Sequence, residues 1–122
     1  MAAVRDRPLS LHHRPLWSVY VVRRRDGALY TGIATDVRRR IAEHAGESGR
    51  GAKSLRGRGP LHLVLKRAIG SRGLALRVER AIKRLPKARK EDLITEEVFV
   101  DRLIRLARSS HGRLRLPAAR WG

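Results

Sequence analysis

An arginine and a histidine stand one helical turn apart in the segment TDVRRRIAEH. At about 100° per residue, Arg40 and His44 lie about 60° and 20° from Val37, along the margin of an apolar stripe. Arg39 and Glu43 then point away to water. A guanidinium and an imidazole held in this way can bind a phosphate. The alternative is that Arg40 is one more surface charge and that His44 interacts with the negative end of the helix dipole.

Glu79 is the only acidic residue between Glu47 and Glu91, in a stretch rich in lysine and arginine. On a helical wheel it lies just outside the apolar stripe of its segment. A single carboxylate at the edge of a buried face can hold a divalent metal ion, while water and a phosphate supply the other ligands. The alternative is an i, i+4 salt bridge to Lys83.

Two tyrosines, Tyr20 and Tyr30, stand on either side of an Asp26-Gly27 turn sequence. If two strands flank this turn, the phenols lie side by side on one sheet face. There they either position and deprotonate a water or simply pack with their hydroxyls satisfied. Gly32 is unusual inside a strand, which predicts that backbone or a ligand comes close at this point.

The elements that must position these residues follow from the pattern of apolar residues. WSVYVV at 17–22 and ALYTGI at 28–33 predict a β-hairpin. A first helix is expected to begin after Thr35 or Asp36 and to end at Gly46. Further along the chain, the pattern predicts a strand over 61–69, a helix from about Ser71 to Pro86, and one or two helices from 87 to about 108, the last capped by Thr95.

This order of strand, strand, helix, strand, helix, helix implies an α+β (mixed α/β) fold, with a small, mostly antiparallel three-stranded sheet flanked by helices. We expect a flexible basic leader over 1–15, one domain over 16–95, and a helical extension with a basic tail over 96–122. The segment 46–60 is rich in Gly, Ser, Arg and Lys and predicts a mobile basic loop.

Composition points to a polyanionic partner. The 122 residues, enough for one domain, carry 29 Lys and Arg against 11 Asp and Glu, a net charge of +18. Nucleic acid is favoured over a membrane surface, because the basic residues are not gathered beside an apolar helix. The chain has no cysteine, which excludes disulfides and zinc–thiolate sites. No stretch reads as a signal peptide or a membrane span, so we expect a soluble, cytoplasmic protein.

Five segments in a fixed order resemble the GIY-YIG nuclease family, most closely its small single-domain bacterial branch, which is related to the catalytic subunit of a eukaryotic structure-selective endonuclease. These segments are SVY at 18–20, YTG at 30–32, TDVRRRIAEH at 35–44, GRGP at 57–60 and ALRVERAIKRL at 75–85. The sequence departs from the family motifs where Ser18 and Val19 replace Gly-Ile and where Thr31 replaces the middle Ile.

The resemblance implies a small antiparallel sheet with flanking helices and a single Mg²⁺ or Mn²⁺ ion that supports phosphodiester hydrolysis. It assigns catalytic roles to Tyr20, Tyr30, Arg40 and His44, and metal binding to Glu79. Trp17 and the basic loop are expected to hold the nucleic acid backbone, with Lys53, Arg56 and Arg58 as the loop's contacts.

The leading hypothesis is a divalent-metal-dependent endonuclease, with DNA as the expected substrate and no membrane partner. Tyrosine is a poor base at its usual pKa of about 10, so we expect nearby positive charge to lower the pKa of Tyr20. The alternative is a non-catalytic module that binds DNA or structured RNA on the same scaffold.

Overall fold

The computed structural model of the chain describes residues 15–44 and 60–109. Within these ranges it forms a three-stranded antiparallel sheet and four helices, which confirms the predicted α+β class. The elements are β1 (Trp17–Arg23), β2 (Leu29–Ala34), α1 (Val37–His44), β3 (His62–Gly70), α2 (Arg72–Lys83), α3 (Lys87–Thr95) and α4 (Glu97–Ser109). The strand order in the sheet is β2-β1-β3.

The predicted hairpin is formed by β1 and β2, and its turn is built as the Asp26-Gly27 sequence indicates. Gly27 has a φ of +89°, which favours glycine, and its amide donates to the carbonyl of Arg24 at 2.9 Å. The Asp26 carboxylate accepts from the amide of Ala28 at 3.1 Å. Local turn chemistry therefore fixes the register of the two strands.

β1 is the central strand and is buried along its middle five residues. β3 pairs with its other side, and the register shifts between Trp17 and Ser18 and again between Val21 and Val22. β3 lies at one edge of the sheet, and much of it is exposed.

Side-chain caps set the starts of α1 and α2. The Asp36 carboxylate accepts from the amide of Arg39 at 3.1 Å, so Asp36 rather than Thr35 caps α1. The Ser71 hydroxyl accepts from the amide of Leu74 at 3.2 Å, as the sequence predicts for α2.

The region after α2 forms two helices rather than one. Pro86 precedes the first residue of α3, where its missing amide hydrogen costs nothing. The expectation that Thr95 caps α4 is wrong, because Thr95 is the last residue of α3 and its hydroxyl donates to the carbonyl of Asp92 at 3.2 Å. No helix within 15–44 and 60–109 is long and apolar enough to cross a bilayer.

The sheet separates two apolar clusters. The larger one joins Val19 and Ile69 to buried residues of α2, α3 and α4. The smaller one contains Tyr20, Val22, Ala34 and Val37, and thus joins the hairpin to α1. Alternation along β1 produces this division, because Val19 and Tyr20 leave the strand on opposite faces. The tyrosine and α1 therefore lie on the side of the sheet with the smaller core.

Candidate active site

A buried hydrogen bond joins β1 to the end of α1. The Tyr20 hydroxyl lies 2.7 Å from Nε2 of His44, and the two residues are 1% and 0% exposed. His44 is therefore fully enclosed, and not at the margin of the helix stripe as the wheel predicts. The wheel gives the direction of a side chain but not how deeply a neighbouring element covers it.

Burial keeps both partners of this hydrogen bond neutral near pH 7. It lowers the pKa of His44, and the Arg40 guanidinium lowers it further, whereas Glu43 opposes the change. Burial also raises the pKa of Tyr20, with Tyr30 adding to the rise and Arg40 opposing it. The expectation that positive charge lowers the pKa of Tyr20 is therefore wrong, because desolvation outweighs the guanidinium.

The neutral state of His44 makes folding stability depend on pH. Its folded-state pKa lies below the usual 6.5, so the unfolded chain takes up a proton here first. Stability should be fully present above about pH 6.5 and be lost as the pH falls below it, by at most about 1.4 kcal/mol per pH unit. Urea unfolding from about pH 7.5 to 5 should show this loss in the wild type and in His62→Gln, since His62 is exposed. His44→Gln should give a flatter profile, and an equally steep one would contradict the prediction.

The second tyrosine lies on the same face as the first but diagonally across the hairpin. The register pairs Tyr20 with Gly32 and Tyr30 with Val22. The Tyr30 ring meets the His44 imidazole edge-on, with centroids 5.2 Å apart. The imidazole therefore contacts both phenols.

Gly32 makes room for the Tyr20 ring. A Cβ added at Gly32 would lie 2.5 Å from the Tyr20 hydroxyl oxygen and 2.7 Å from Cζ. The close approach predicted at this glycine is made by the Tyr20 side chain. The absence of a side chain at Gly32 lets the phenol lie against β2 and reach His44.

Gly32→Ala should therefore destabilise the fold by about 1–3 kcal/mol, the usual range for overpacking a buried site. Gly73→Ala is the matched control, because an added Cβ at Gly73 in α2 meets nothing within 4 Å. That control should be neutral or stabilising by up to about 1 kcal/mol, since alanine favours helices. Urea unfolding of both variants measures the difference, and equal stabilities would contradict this account of Gly32.

Arg40 is held beside the buried pair by an acidic neighbour. Its Nη1 donates to Oε1 of Glu43 at 2.7 Å, with side chains 37% and 17% exposed. The guanidinium also acts on Tyr20 through charge and a hydrogen bond. The expectation that Glu43 points to water is wrong, because its ion pair with Arg40 turns it inward. The i, i+3 spacing of Arg40 and Glu43 in the sequence is the signal that could have predicted this ion pair.

Glu79 lies close enough to Tyr20 for its charge to oppose ionisation of the phenol. Its carboxylate is 14% exposed and lies 3.3 Å from Nζ of Lys83. The salt bridge considered as the alternative role is therefore formed. The same carboxylate also lies near the tyrosine, so the two interpretations do not exclude each other.

A cavity of about 310 Å³ opens beside these residues, between the strand ends and α1. It is lined by Trp17, Ile33, Ala34, Thr35, Asp36, Arg39, Arg40 and Glu43. Two predicted site residues, Trp17 and Arg40, are among them. The Trp17 ring faces the guanidinium of Arg72 at 5.6 Å, so an aromatic surface and several arginines meet at this cavity.

A sequence model described as the GIY-YIG catalytic domain matches residues 16–92. The chain belongs to the GIY-YIG family. This agrees with the resemblance drawn from the motifs, and the matched range contains every candidate catalytic and metal-binding residue. GIY-YIG domains are those of a nuclease superfamily.

Relatives of the chain are bacterial proteins that carry the name UPF0213. It is 55% identical over 80 residues to the UPF0213 protein of Citrobacter koseri, covering 66% of this chain and 78% of that protein. It is 51% identical over 80 residues to the UPF0213 protein YhbQ of Escherichia coli, with the same coverage of 66% and 78%. The solution NMR structure of the UPF0213 protein BH0048 from Bacillus halodurans is 46% identical, has a TM-score of 0.44, and is matched over 66% of this chain and 83% of that one.

GIY-YIG nucleases generally use a divalent metal ion, and the donor chemistry at Glu79 fits one. Among the residues that the structure describes, no three or more His, Asp or Glu side chains form a cluster that would hold an ion by themselves. Mg²⁺ is commonly bound by one or two carboxylates together with water and substrate phosphates. Glu79 suits such a site as its single protein ligand, provided that the ion displaces Lys83.

Three predicted contacts of the basic loop, Lys53, Arg56 and Arg58, lie outside the described residues, as do the predicted leader up to 14 and the tail from 110.

Proposed function

We propose that this GIY-YIG protein is a divalent-metal-dependent endonuclease that hydrolyses phosphodiester bonds of nucleic acid, with DNA as its substrate. The observation that carries the proposal is the buried hydrogen bond between Tyr20 and His44 with Arg40 beside it. Phosphate binding by itself does not use a neutral phenol–imidazole pair next to a guanidinium. A hydrolase does, because water must lose a proton as it attacks phosphorus.

The proton path follows from the ionisation states. Tyr20 stays protonated near neutral pH, so it does not act alone as a base. In our proposal its hydroxyl oxygen takes a proton from the attacking water while its own proton passes to Nε2 of neutral His44. The O–H bond of water breaks, the phenol is regenerated, and His44 becomes an imidazolium. This transfer requires the His44 tautomer with hydrogen on Nδ1.

Arg40 acts on charge in two ways in this scheme. Its guanidinium favours a transient negative charge on the Tyr20 oxygen, and it neutralises charge that grows on the phosphorane oxygens. Because Tyr20 is 1% exposed, a phosphate reaches its hydroxyl only when neighbouring side chains move aside. Arg40 and Tyr30, which are partly exposed, are the neighbours that reach the surface.

Glu79 is the residue that would hold Mg²⁺ or Mn²⁺. When bound, such an ion supplies stabilisation of negative charge on the leaving oxygen. The carboxylate's own contribution is to fix the ion near enough to Tyr20 for the two groups to interact electrostatically.

The test is a cleavage assay on linear, flapped and branched DNA and RNA, with Mn²⁺ and with EDTA. We expect cleavage with the metal ion and none with EDTA. Binding without cleavage of any substrate would favour the alternative, a nucleic-acid-binding module. The Glu79–Lys83 ion pair is the observation that supports this alternative, because it gives the carboxylate a purely structural partner.

A further inference from the structure

A second cavity, of about 350 Å³, lies between the edge strand β3 and α4. Its lining consists of Arg67, Ala68, Asp101, Ile104, Arg105 and Arg108. α4 begins at Glu97 and so lies beyond the residues 16–92 that match the catalytic domain. This cavity therefore combines a strand of the family fold with a helix outside the matched region.

The cavity has an excess of positive charge. Arg67 donates to Asp101 at 2.7 Å, which uses the one carboxylate in the lining. Within the described part of the chain, Arg105 and Arg108 form no ion pair, and both are exposed. Two guanidinium groups are thus available for an anion at the mouth of the cavity.

The cavity and the Tyr20 site lie on opposite faces of the sheet. Tyr20 pairs with Lys66, and Val19 pairs with Arg67. Directly paired residues of antiparallel strands share a face and successive residues alternate. Arg67 therefore leaves β3 on the face away from the phenol.

We infer that this second cavity binds phosphates of the nucleic acid backbone, at a contact separate from the candidate active site. The inference rests on the proposed function for the identity of the polyanion. Guanidinium groups match the geometry of phosphate oxygens. Arg105 and Arg108 are separated by about 4.5 Å of helix rise, so they can hold one phosphate together or two neighbouring ones. A nucleic acid that engages both sites has to bend around the sheet or present a second segment.

The chain segment that follows α4 is not the electrostatic complement of this cavity. Residues 110–122 carry Arg113, Arg115 and Arg120 and no acidic side chain. Like charges repel, so an external polyanion is the better occupant.

The experiment measures affinity for a labelled three-way DNA junction in EDTA, so that cleavage does not enter. Arg105→Ala and Arg108→Ala should each weaken binding about eightfold at 0.1 M salt and reduce the slope of log K against log salt by about 0.9, the value for one phosphate contact. Arg25→Ala is the control, since Arg25 is exposed at the hairpin turn. If the two α4 variants bind like this control, the inference is wrong.

A second pair of variants tests the same cavity by a change that should strengthen binding rather than weaken it. Asp101→Asn releases Arg67 from its ion pair and should tighten binding by up to about eightfold at 0.1 M salt. Glu97→Gln makes the same charge change on the same helix, outside the cavity lining. Equal effects of the two variants would indicate only a general charge effect and overturn the local site.

Failure of this inference can be told apart from failure of the proposed function. Arg105→Ala and Arg108→Ala should keep the wild-type turnover at saturating substrate, because neither residue contacts the reacting phosphate. Absence of cleavage in every variant and in the wild type contradicts the endonuclease but leaves the affinity comparison valid. If the variants bind the junction normally and lose affinity for polyglutamate instead, the cavity takes an acidic protein segment and the nucleic acid assignment is overturned.

Discussion

Glu79→Gln is expected to abolish metal-dependent cleavage and to leave binding of uncleaved nucleic acid unchanged or slightly tighter. The amide keeps the shape of the side chain but removes the charge that would hold the ion. A bound ion stabilises the charge of the transition state by several kcal/mol. Its loss should therefore lower turnover about a thousandfold or more. Binding should not suffer, because a negative charge facing phosphates has been removed. Single-turnover cleavage and anisotropy in EDTA measure the two quantities.

Lys83→Ala separates this role of Glu79 from its ion pair. Both substitutions remove the ion pair, whose atoms lie 3.3 Å apart, but only Glu79→Gln removes the carboxylate. The Lys83 side chain is 53% exposed, and exposed ion pairs add little stability, so Lys83→Ala should fold normally and retain cleavage. If both variants lose activity to the same degree, the carboxylate serves only as a partner of Lys83.

Arg40→Ala should lower turnover by about 10²- to 10³-fold, the usual cost of losing a group that stabilises transition-state charge. Its affinity for substrate should change much less, because only about one phosphate contact is lost. Steady-state kinetics should therefore show a loss in kcat rather than a rise in KM.

Arg38→Ala is the matched control for this variant. Arg38 is exposed on the same helix and lies outside the cavity lining. Arg39 is exposed as well, but it borders the cavity beside Arg40, so it does not serve as an outer-face control. Glu43→Gln completes the comparison, because it breaks the ion pair of 2.7 Å and keeps the guanidinium. Equal losses in Arg40→Ala and Glu43→Gln would mean that the ion pair, and not the guanidinium, supports activity.

Local chemistry made most of the fold predictable from the sequence. The Asp26-Gly27 turn, the Ser71 cap and Pro86 each act through the backbone of adjacent residues, and all three lie where the sequence placed them. Thr95 marks a limit of such reasoning, because a threonine between two helical segments suits either the end of the first helix or the cap of the second. Its hydroxyl bonds back to Asp92 in α3.

The residues of the candidate site were predictable as a set, but their states were not. The excess of positive charge in the sequence predicts a lowered pKa for Tyr20. Burial of its side chain in the fold instead raises that pKa. A helical wheel directs Glu43 to water because it treats each side chain alone and omits the ion pair with Arg40. The sequence marks Gly32 as a point of close approach, whereas the identity of the approaching Tyr20 ring depends on strand register.

The hydrogen bond between Tyr20 and His44 also closes a loop of the chain. It joins residues 24 positions apart, and the loop contains all of β2 and α1. Closing a loop of this length has an entropic cost that its contacts must offset. The hydrogen bond between Tyr20 and His44, which we propose transfers a proton, therefore also holds α1 against the sheet. Selection for activity and selection for stability then act on the same two side chains, in contrast to sites where catalytic groups are retained at the expense of stability.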